Sequence, residues 1–79
     1  MPIQNTGMAT PKIRLELAKR LRRLRKQHHL TQEEAAERAG MDVRYYQRLE
    51  STKPNAVKID MLERLARVFR IKPGKLLEF

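Results

Sequence analysis

The side chains best suited to recognising another molecule lie in one short segment near the middle of the chain. Arg44 and Arg48 are four residues apart and Gln47 precedes Arg48, a spacing that places all three on one face of a helix. An arginine guanidinium can donate two hydrogen bonds to guanine O6 and N7, and each such contact discriminates between bases by about 1–3 kcal/mol. The pattern therefore predicts hydrogen bonding to base edges.

The sequence contains few side chains that could catalyse a reaction or bind a metal ion. The hydroxyl side chains other than tyrosine are Ser51 and four threonines, and the only histidines are the neighbours His28 and His29. Adjacent residues on a helix point about 100° apart, so these imidazoles would not converge on one metal ion. The chain has no cysteine, which excludes a disulfide scaffold and a cysteine-ligated zinc finger. We expect no enzymatic activity, no metal and no cofactor.

The overall charge points to a polyanionic partner. The 79 residues include 18 Lys and Arg against 9 Asp and Glu, a net charge of +9. Eight of the basic residues lie between Lys12 and Lys26, where Glu16 is the only acid. Nucleic acid is the first candidate partner and an anionic membrane surface the second. No transmembrane helix or secretory signal is evident, so we expect a cytoplasmic protein.

The chain length allows one small domain. Residues 1–11 carry no charged side chain, contain two prolines and show no periodicity, so we expect a flexible N-terminal arm. The folded domain is expected to span residues 12–79. Its first predicted helix, Lys12 to His28, has an apolar stripe of Ile13, Leu17, Leu21 and Leu24.

The middle of the chain predicts two short helices joined by a tight turn. Thr31 and Glu34 form a capping box at the start of helix 2, Gln32 to Ala39. Gly40 can adopt the left-handed conformation that ends a helix. Asp42 is a suitable N-cap for helix 3, which runs to about Glu50. The spacing is that of a helix-turn-helix, although it would also fit an ordinary helical hairpin with a solvated polar face.

Two further helices follow a loop over residues 51–57. Helix 4 is predicted at Lys58 to Phe69, with Ile59, Leu62, Leu65, Ala66 and Phe69 on one stripe. Pro73 can open a last short helix that carries Leu76, Leu77 and Phe79. Because β-branched residues are few and never alternate with polar ones, the predicted fold is all-α.

Three segments of the sequence resemble a known family. LTQEEAAERAGM (residues 30–41), YQRLE (46–50) and IDMLERLA (59–66) closely resemble the Xre/Cro/lambda-repressor-like helix-turn-helix family. The resemblance spans residues 13–78. It implies a compact five-helix domain whose helices 2 and 3 form the helix-turn-helix and which binds operator DNA, usually as a symmetric dimer.

The resemblance also implies roles for individual residues. The positions that face or adjoin base edges on the recognition helix are Asp42, Val43, Arg44, Gln47 and Arg48. Those that contact DNA phosphates are Gln32, Tyr45, Lys53 and Asn55. Arg25 and Glu50 match a structural salt bridge between helices 1 and 3.

Two positions depart from the family pattern in the size of their side chains. Ala35 stands where leucine is usual, and Tyr46 where an aliphatic residue is usual. A large ring opposite a small methyl suggests compensated packing. We therefore predict that Tyr46 is mostly buried and Tyr45 mostly exposed.

Three other departures replace the family's glycines after helices 1, 3 and 4. His29, Thr52 and Arg70 stand at these positions. Because such residues adopt a positive φ less readily than glycine, we expect these turns to be remodelled, with consequences for the contacts of Lys53 and Asn55.

The favoured function is sequence-specific binding of double-stranded DNA by a transcriptional regulator, a repressor. One alternative is the antitoxin of a toxin–antitoxin pair, which binds a toxin protein and regulates its own transcription. A membrane-bound helix 1 would leave the helix-turn-helix unexplained, and RNA binding lacks an aromatic platform.

A homodimer is expected; Leu76, Leu77 and Phe79 either pack onto the core or form a patch across a two-fold axis.

Overall fold

A computed structural model describes residues 9–79, and within that range all regular secondary structure is helical. The α-helices are α1 (Lys12–Gln27), α2 (Gln32–Ala39), α3 (Val43–Leu49) and α4 (Ile59–Val68). The all-α prediction is confirmed, and α2 has the predicted bounds. Of the predicted arm, residues 1–8 lie outside the described part of the chain.

The predicted fifth helix is instead a 3₁₀ helix, Pro73–Leu77, so the described residues contain four α-helices. The segment is only five residues long, and it begins with a proline, which lacks an amide hydrogen, followed by a glycine. Such short segments commonly form the tighter 3₁₀ turn. Its one buried side chain is Leu76, which anchors the end of the chain to the core.

Local hydrogen bonds fix both ends of α2. The Thr31 hydroxyl accepts from the Glu34 amide at 3.0 Å, and the Glu34 carboxylate accepts from the Thr31 amide at 2.8 Å. The bond from the Thr31 amide, followed by the interaction with the Thr31 side chain, lowers the pKa of Glu34. At the other end Gly40 has φ of 67°. The predicted capping box and glycine cap are therefore both present.

Three turns close in the same way, although only one has a glycine. The amides of Leu30, Met41 and Ile71 donate to carbonyls five residues earlier, each at 3.0 Å. This bond is typical of a helix end whose preceding residue is left-handed. His29 has φ of 57° and Arg70 of 58°, so the expected remodelling of these two turns was wrong. At His29 and Arg70, the hydrogen bond that closes the turn outweighs the cost of positive φ, which is about 1 kcal/mol for a non-glycine residue.

The core is formed by apolar side chains from all five helices. The buried members include Leu17, Leu21 and Leu24 of α1, Ala35, Ala36 and Ala39 of α2, Tyr46 and Leu49 of α3, Leu65, Ala66 and Phe69 at α4, and Leu76. Tyr46 is 0% exposed, which confirms the prediction that it is buried. Tyr45 is only half-buried, because its ring packs against the core and its hydroxyl donates to the Ala56 carbonyl at 3.3 Å. It is therefore less exposed than expected.

Two residues predicted to belong to the apolar stripes lie outside the core. Ile13 is 56% exposed and Ile59 is 79% exposed. Each lies in the first turn of its helix. Helical periodicity identifies a face, but it does not show how far along that face the core reaches.

Candidate nucleic-acid interface

The outer face of α3 presents three polar side chains to solvent. Arg44, Gln47 and Arg48 are exposed and lie within about 100° of one another around the helix. Tyr46 and Leu49 occupy the opposite, buried face. Within residues 9–79, no hydrogen bond or ion pair engages the side-chain ends of the three polar residues. Their donors are therefore free to meet another molecule.

The other two residues predicted at base edges, Asp42 and Val43, have side chains that are already engaged within the protein. The Asp42 carboxylate caps α3: it accepts from the amides of Arg44 at 2.8 Å and Tyr45 at 3.3 Å. Val43 is half-buried and packs against the core. The structure therefore brings all five predicted residues to one end or face of α3, but only three of them offer an uncommitted polar group.

The loop after α3 holds two of the predicted phosphate contacts. The Ser51 hydroxyl donates to the Arg48 carbonyl at 2.7 Å and accepts from the Lys53 amide at 3.2 Å. These bonds tie the loop to the end of α3, and Lys53 is left exposed while Asn55 is half-buried. Further along, the Tyr45 hydroxyl holds the loop at Ala56. Lys53 is therefore the loop side chain most accessible to a phosphate.

Gln32, another predicted phosphate contact, begins α2 and is half-buried. Its side-chain amide donates to Glu50 Oε1 at 3.1 Å. An amide nitrogen carries two hydrogens, so one remains for a second acceptor. The backbone amides in the first turn of a helix also lack partners within the helix. The start of α2 can thus contact an anion while Glu50 fixes the orientation of Gln32.

A buried carboxylate joins the first three helices. Glu50, 2% exposed, accepts from Arg25 Nε at 2.8 Å and from Arg25 Nη2 at 3.0 Å. It also accepts from Gln32 and from the Tyr46 hydroxyl. Arg25 Nη1 donates to the Leu30 carbonyl at 2.9 Å. The Arg25–Glu50 pair thus sits in a network that sets the position of α3 against α1 and α2.

The charges in this network stabilise one another. Burial alone would raise the pKa of Glu50, but the hydrogen bonds from Arg25, Tyr46 and Gln32 outweigh it and lower that pKa. The hydrogen bond to Glu50 raises the pKa of Arg25. Burial, followed by the hydrogen bond to Glu50, raises the pKa of Tyr46. Glu50 is therefore ionised near neutral pH, with a neutral tyrosine and a charged arginine as its partners.

Comparison with known proteins identifies the family. The helix-turn-helix family model matches residues 21–76. The chain belongs to the helix-turn-helix family. This confirms the resemblance seen in the sequence, and it supports DNA binding and transcriptional regulation as the class of function. Comparison with curated proteins finds no match.

Two solved structures share the helix-turn-helix domain architecture over most of their length. The restriction-modification controller protein C.AhdI from Aeromonas hydrophila has a TM-score of 0.77 and 29% identity, covering 84% of this chain and 98% of that chain. The hypothetical transcription factor NHTF from Neisseria has a TM-score of 0.79 and 25% identity, covering 94% of this chain and 87% of that chain.

Sequence reasoning missed one arginine of this helix-turn-helix domain. The Arg22 guanidinium donates to the backbone carbonyl of Glu50, at the end of α3. Arg22 lies three residues before Arg25 and so shares its side of α1, which was the available signal. Because its acceptor is a backbone group, no residue type in the sequence marked the contact.

Residues 9–79 contain neither a membrane-spanning helix nor a cluster of metal ligands. Among the residues it describes, no helix is both long and apolar enough to span a bilayer. Within the same residues, no three side chains of His, Cys, Asp or Glu gather where they could bind a metal ion.

Proposed function

We propose that this protein is a cytoplasmic transcriptional repressor that binds double-stranded DNA sequence-specifically through α3. The observation that carries the proposal is the joint exposure of Arg44, Gln47 and Arg48 on a helix whose other face is buried. In this arrangement α3 enters the major groove and its arginines donate to guanine edges. Residues 12–79 would constitute the DNA-binding domain.

Contacts to phosphates would position α3 without reading sequence. Lys53 and Asn55 lie in the loop after α3, and Gln32 lies at the start of α2. Tyr45 supports the loop through its hydrogen bond to the Ala56 carbonyl. Phosphate contacts set the register of a protein on DNA, whereas base contacts set its specificity. Repression would follow when the bound protein occupies a site that the transcription machinery needs.

A homodimer is part of the proposal, and the end of the chain offers a surface for it. Leu76 is buried, but Leu77 is 37% exposed and Phe79 is 59% exposed. Both line a shallow groove with Ile13 at the start of α1. Exposed apolar patches commonly mark association sites, and a two-fold dimer would place its α3 helices about 34 Å apart.

The test is selection of bound duplexes from a random DNA library. The proposal predicts enrichment of one sequence with two inverted half-sites, whose centres are about 10 base pairs apart. An antitoxin would use the same α3 face for its own operator, so enrichment alone does not separate the two functions. Recovery of unrelated sequences after repeated rounds, with the domain folded, would overturn sequence-specific binding.

A further inference from the structure

A row of basic side chains runs along the solvent face of α1. Lys12, Lys19, Arg23 and Lys26 are all exposed. At 3.6 residues per turn they fall within an arc of about 60° and span about 21 Å of the helix axis. We call these four residues the α1 basic stripe.

The stripe carries little compensating negative charge. Two acidic residues lie near it: Glu16, whose carboxylate is 3.8 Å from the Lys19 ammonium, and Glu78, which lines a surface pocket with Lys19 and Arg23. The Glu78 carboxylate is paired with the Lys75 ammonium at 3.3 Å. Exposed pairs at such distances contribute little, because water and salt screen them. Within residues 9–79, no carboxylate forms an ion pair with Lys12, Arg23 or Lys26. The fold therefore leaves four positive charges along one face, of which Lys12 also borders the groove proposed above for the dimer.

The stripe faces away from the recognition helix. Arg25 points toward α3, since its guanidinium binds Glu50. Arg23 lies about 160° around α1 from Arg25, and Lys19 about 120°. On the other flank Arg20 donates to the Lys75 carbonyl, which fixes that side of α1 against the 3₁₀ helix. A duplex held in the groove by α3 would consequently leave most of the stripe in solvent.

We propose that the α1 basic stripe binds the phosphate backbone of a second DNA duplex while α3 holds the first. One protein would then bring two DNA segments together. The inference rests on the proposed function, because the first duplex is the one that α3 recognises. A duplex fits the stripe because it presents one negative charge per 1.7 Å along a line, and a 21 Å row of cations can follow several phosphates.

The same geometry disfavours a membrane as the occupant. A helix that lies in a bilayer surface needs an exposed apolar face beside its basic one. The apolar face of α1, with Leu17, Leu21 and Leu24, is buried in the core. The binding expected of the stripe is therefore electrostatic and independent of sequence.

The expected salt dependence follows from the number of charges. Four phosphate contacts on duplex DNA give a slope of log affinity against log salt of roughly −3.6. Raising the salt from about 50 to about 200 mM should then weaken capture of the second duplex roughly 150-fold through these contacts alone.

The experiment is a two-duplex capture assay with the full chain. A duplex selected from the random library is immobilised and saturated with protein, and a fluorescent duplex of unrelated sequence is then added. The stripe variant replaces the four residues by glutamine, which keeps good helix propensity: K12Q, K19Q, R23Q and K26Q. The matched control removes four exposed positive charges elsewhere: R38Q, R67Q, R70Q and K72Q.

The stripe variant should bind the selected duplex with its specificity retained and capture at least about tenfold less of the second duplex. The control should capture clearly more than the stripe variant, and Glu16→Gln should capture more than wild type.

Equal capture by the stripe variant and wild type would overturn the inference, as would no capture by wild type in about 50 mM salt. Binding of wild type to phosphatidylserine vesicles, without capture of the second duplex, would identify a membrane instead. Failure to bind any selected duplex would refute the proposed function and is visible in the first step.

Discussion

Removing Arg25 should cost this domain much of its stability. Arg25→Met takes away two hydrogen bonds to Glu50 and one to the Leu30 carbonyl. It leaves a carboxylate that is 2% exposed without its cation. Breaking a buried ion pair from one side typically costs about 3–5 kcal/mol, because the remaining charge is neither solvated nor paired.

That loss is large compared with the stability available to the chain. At about 0.05–0.15 kcal/mol per residue, a domain of this size has an unfolding free energy of roughly 4–12 kcal/mol. Arg25→Met should therefore be partly unfolded, or close to it, near room temperature. The double variant R25M/E50M removes both charges, so we expect it to recover at least about 2 kcal/mol of the loss.

The pH dependence of the variant provides a second check. In the wild type the folded-state pKa of Glu50 is below its ordinary value of 4.5, so its contribution is present above that value and is lost as pH falls through the lowered pKa. In Arg25→Met, burial becomes the dominant influence and should raise the folded-state pKa of Glu50 above the unfolded one. The ionised form then destabilises the folded state at high pH. The difference in unfolding free energy between the wild type and Arg25→Met should consequently decrease as the pH falls from about 7 to about 5.

The measurement is urea unfolding followed by far-ultraviolet circular dichroism, for the wild type, Arg25→Met, Glu50→Met and the double variant. The wild type controls for titration of every other group. The reasoning would be refuted if Arg25→Met cost less than about 1 kcal/mol at neutral pH, the range of an exposed pair. If the difference in unfolding free energy stayed constant on acidification, the lost stability could not be assigned to an unpaired Glu50 carboxylate.

Three further predictions concern other parts of the fold. His29→Gly and Arg70→Gly should each stabilise the domain by up to about 1 kcal/mol in thermal or urea unfolding, because glycine adopts the observed positive φ without strain; unchanged or lower stability would contradict this. Thr31→Ala should cost about 1 kcal/mol in the same assay through loss of the capping box, with Thr31→Ser as the control that retains the hydroxyl. Phe79→Ser should shift the light-scattering mass from dimer to monomer without loss of helix content; a wild type that is monomeric at high concentration, with and without DNA, would refute the dimer.

The sequence predicted best those features that depend on neighbouring residues. The start and end of α2 follow from Thr31, Glu34 and Gly40, whose hydrogen bonds span only a few positions. The same local chemistry made Asp42 the N-cap of α3. Tyr46 could be placed in the core because a large ring beside small side chains conserves volume.

The wrong or missing predictions depended on tertiary packing. Ile13 and Ile59 are exposed although they continue the apolar stripes, because helical periodicity identifies a face but not how far along it the core reaches. The left-handed His29 and Arg70 show that a hydrogen bond closing a turn five residues back can override residue preference. Arg22 binds a backbone carbonyl 28 positions away, and no residue type in the sequence marks such an acceptor.

In the candidate site, the sequence predicted which residues lie on the outer face of α3. It did not predict which of the site's side chains are buried or already hydrogen-bonded. Spacing alone placed Arg44, Gln47 and Arg48 on one face, as the structure has them. It did not show that Val43 packs against the core or that Gln32 donates to Glu50. Asp42 was predicted both as the N-cap of α3 and beside the base edges, and its carboxylate accepts from the amides at the start of α3. The roles of Asp42 and Val43 narrow the expected base readers to the three exposed side chains on α3.

The central claim is that α3 reads DNA sequence, and one comparison tests it most directly. Binding of wild type, Arg44→Ala and Lys53→Ala would be measured on the selected duplex and on a shuffled duplex over a range of salt concentrations. Arg44→Ala should lose about 1–3 kcal/mol on the selected duplex and much less on the shuffled one. Lys53→Ala should weaken both duplexes alike and reduce the salt slope by about 1. Equal loss on both duplexes for Arg44→Ala would contradict sequence reading by α3.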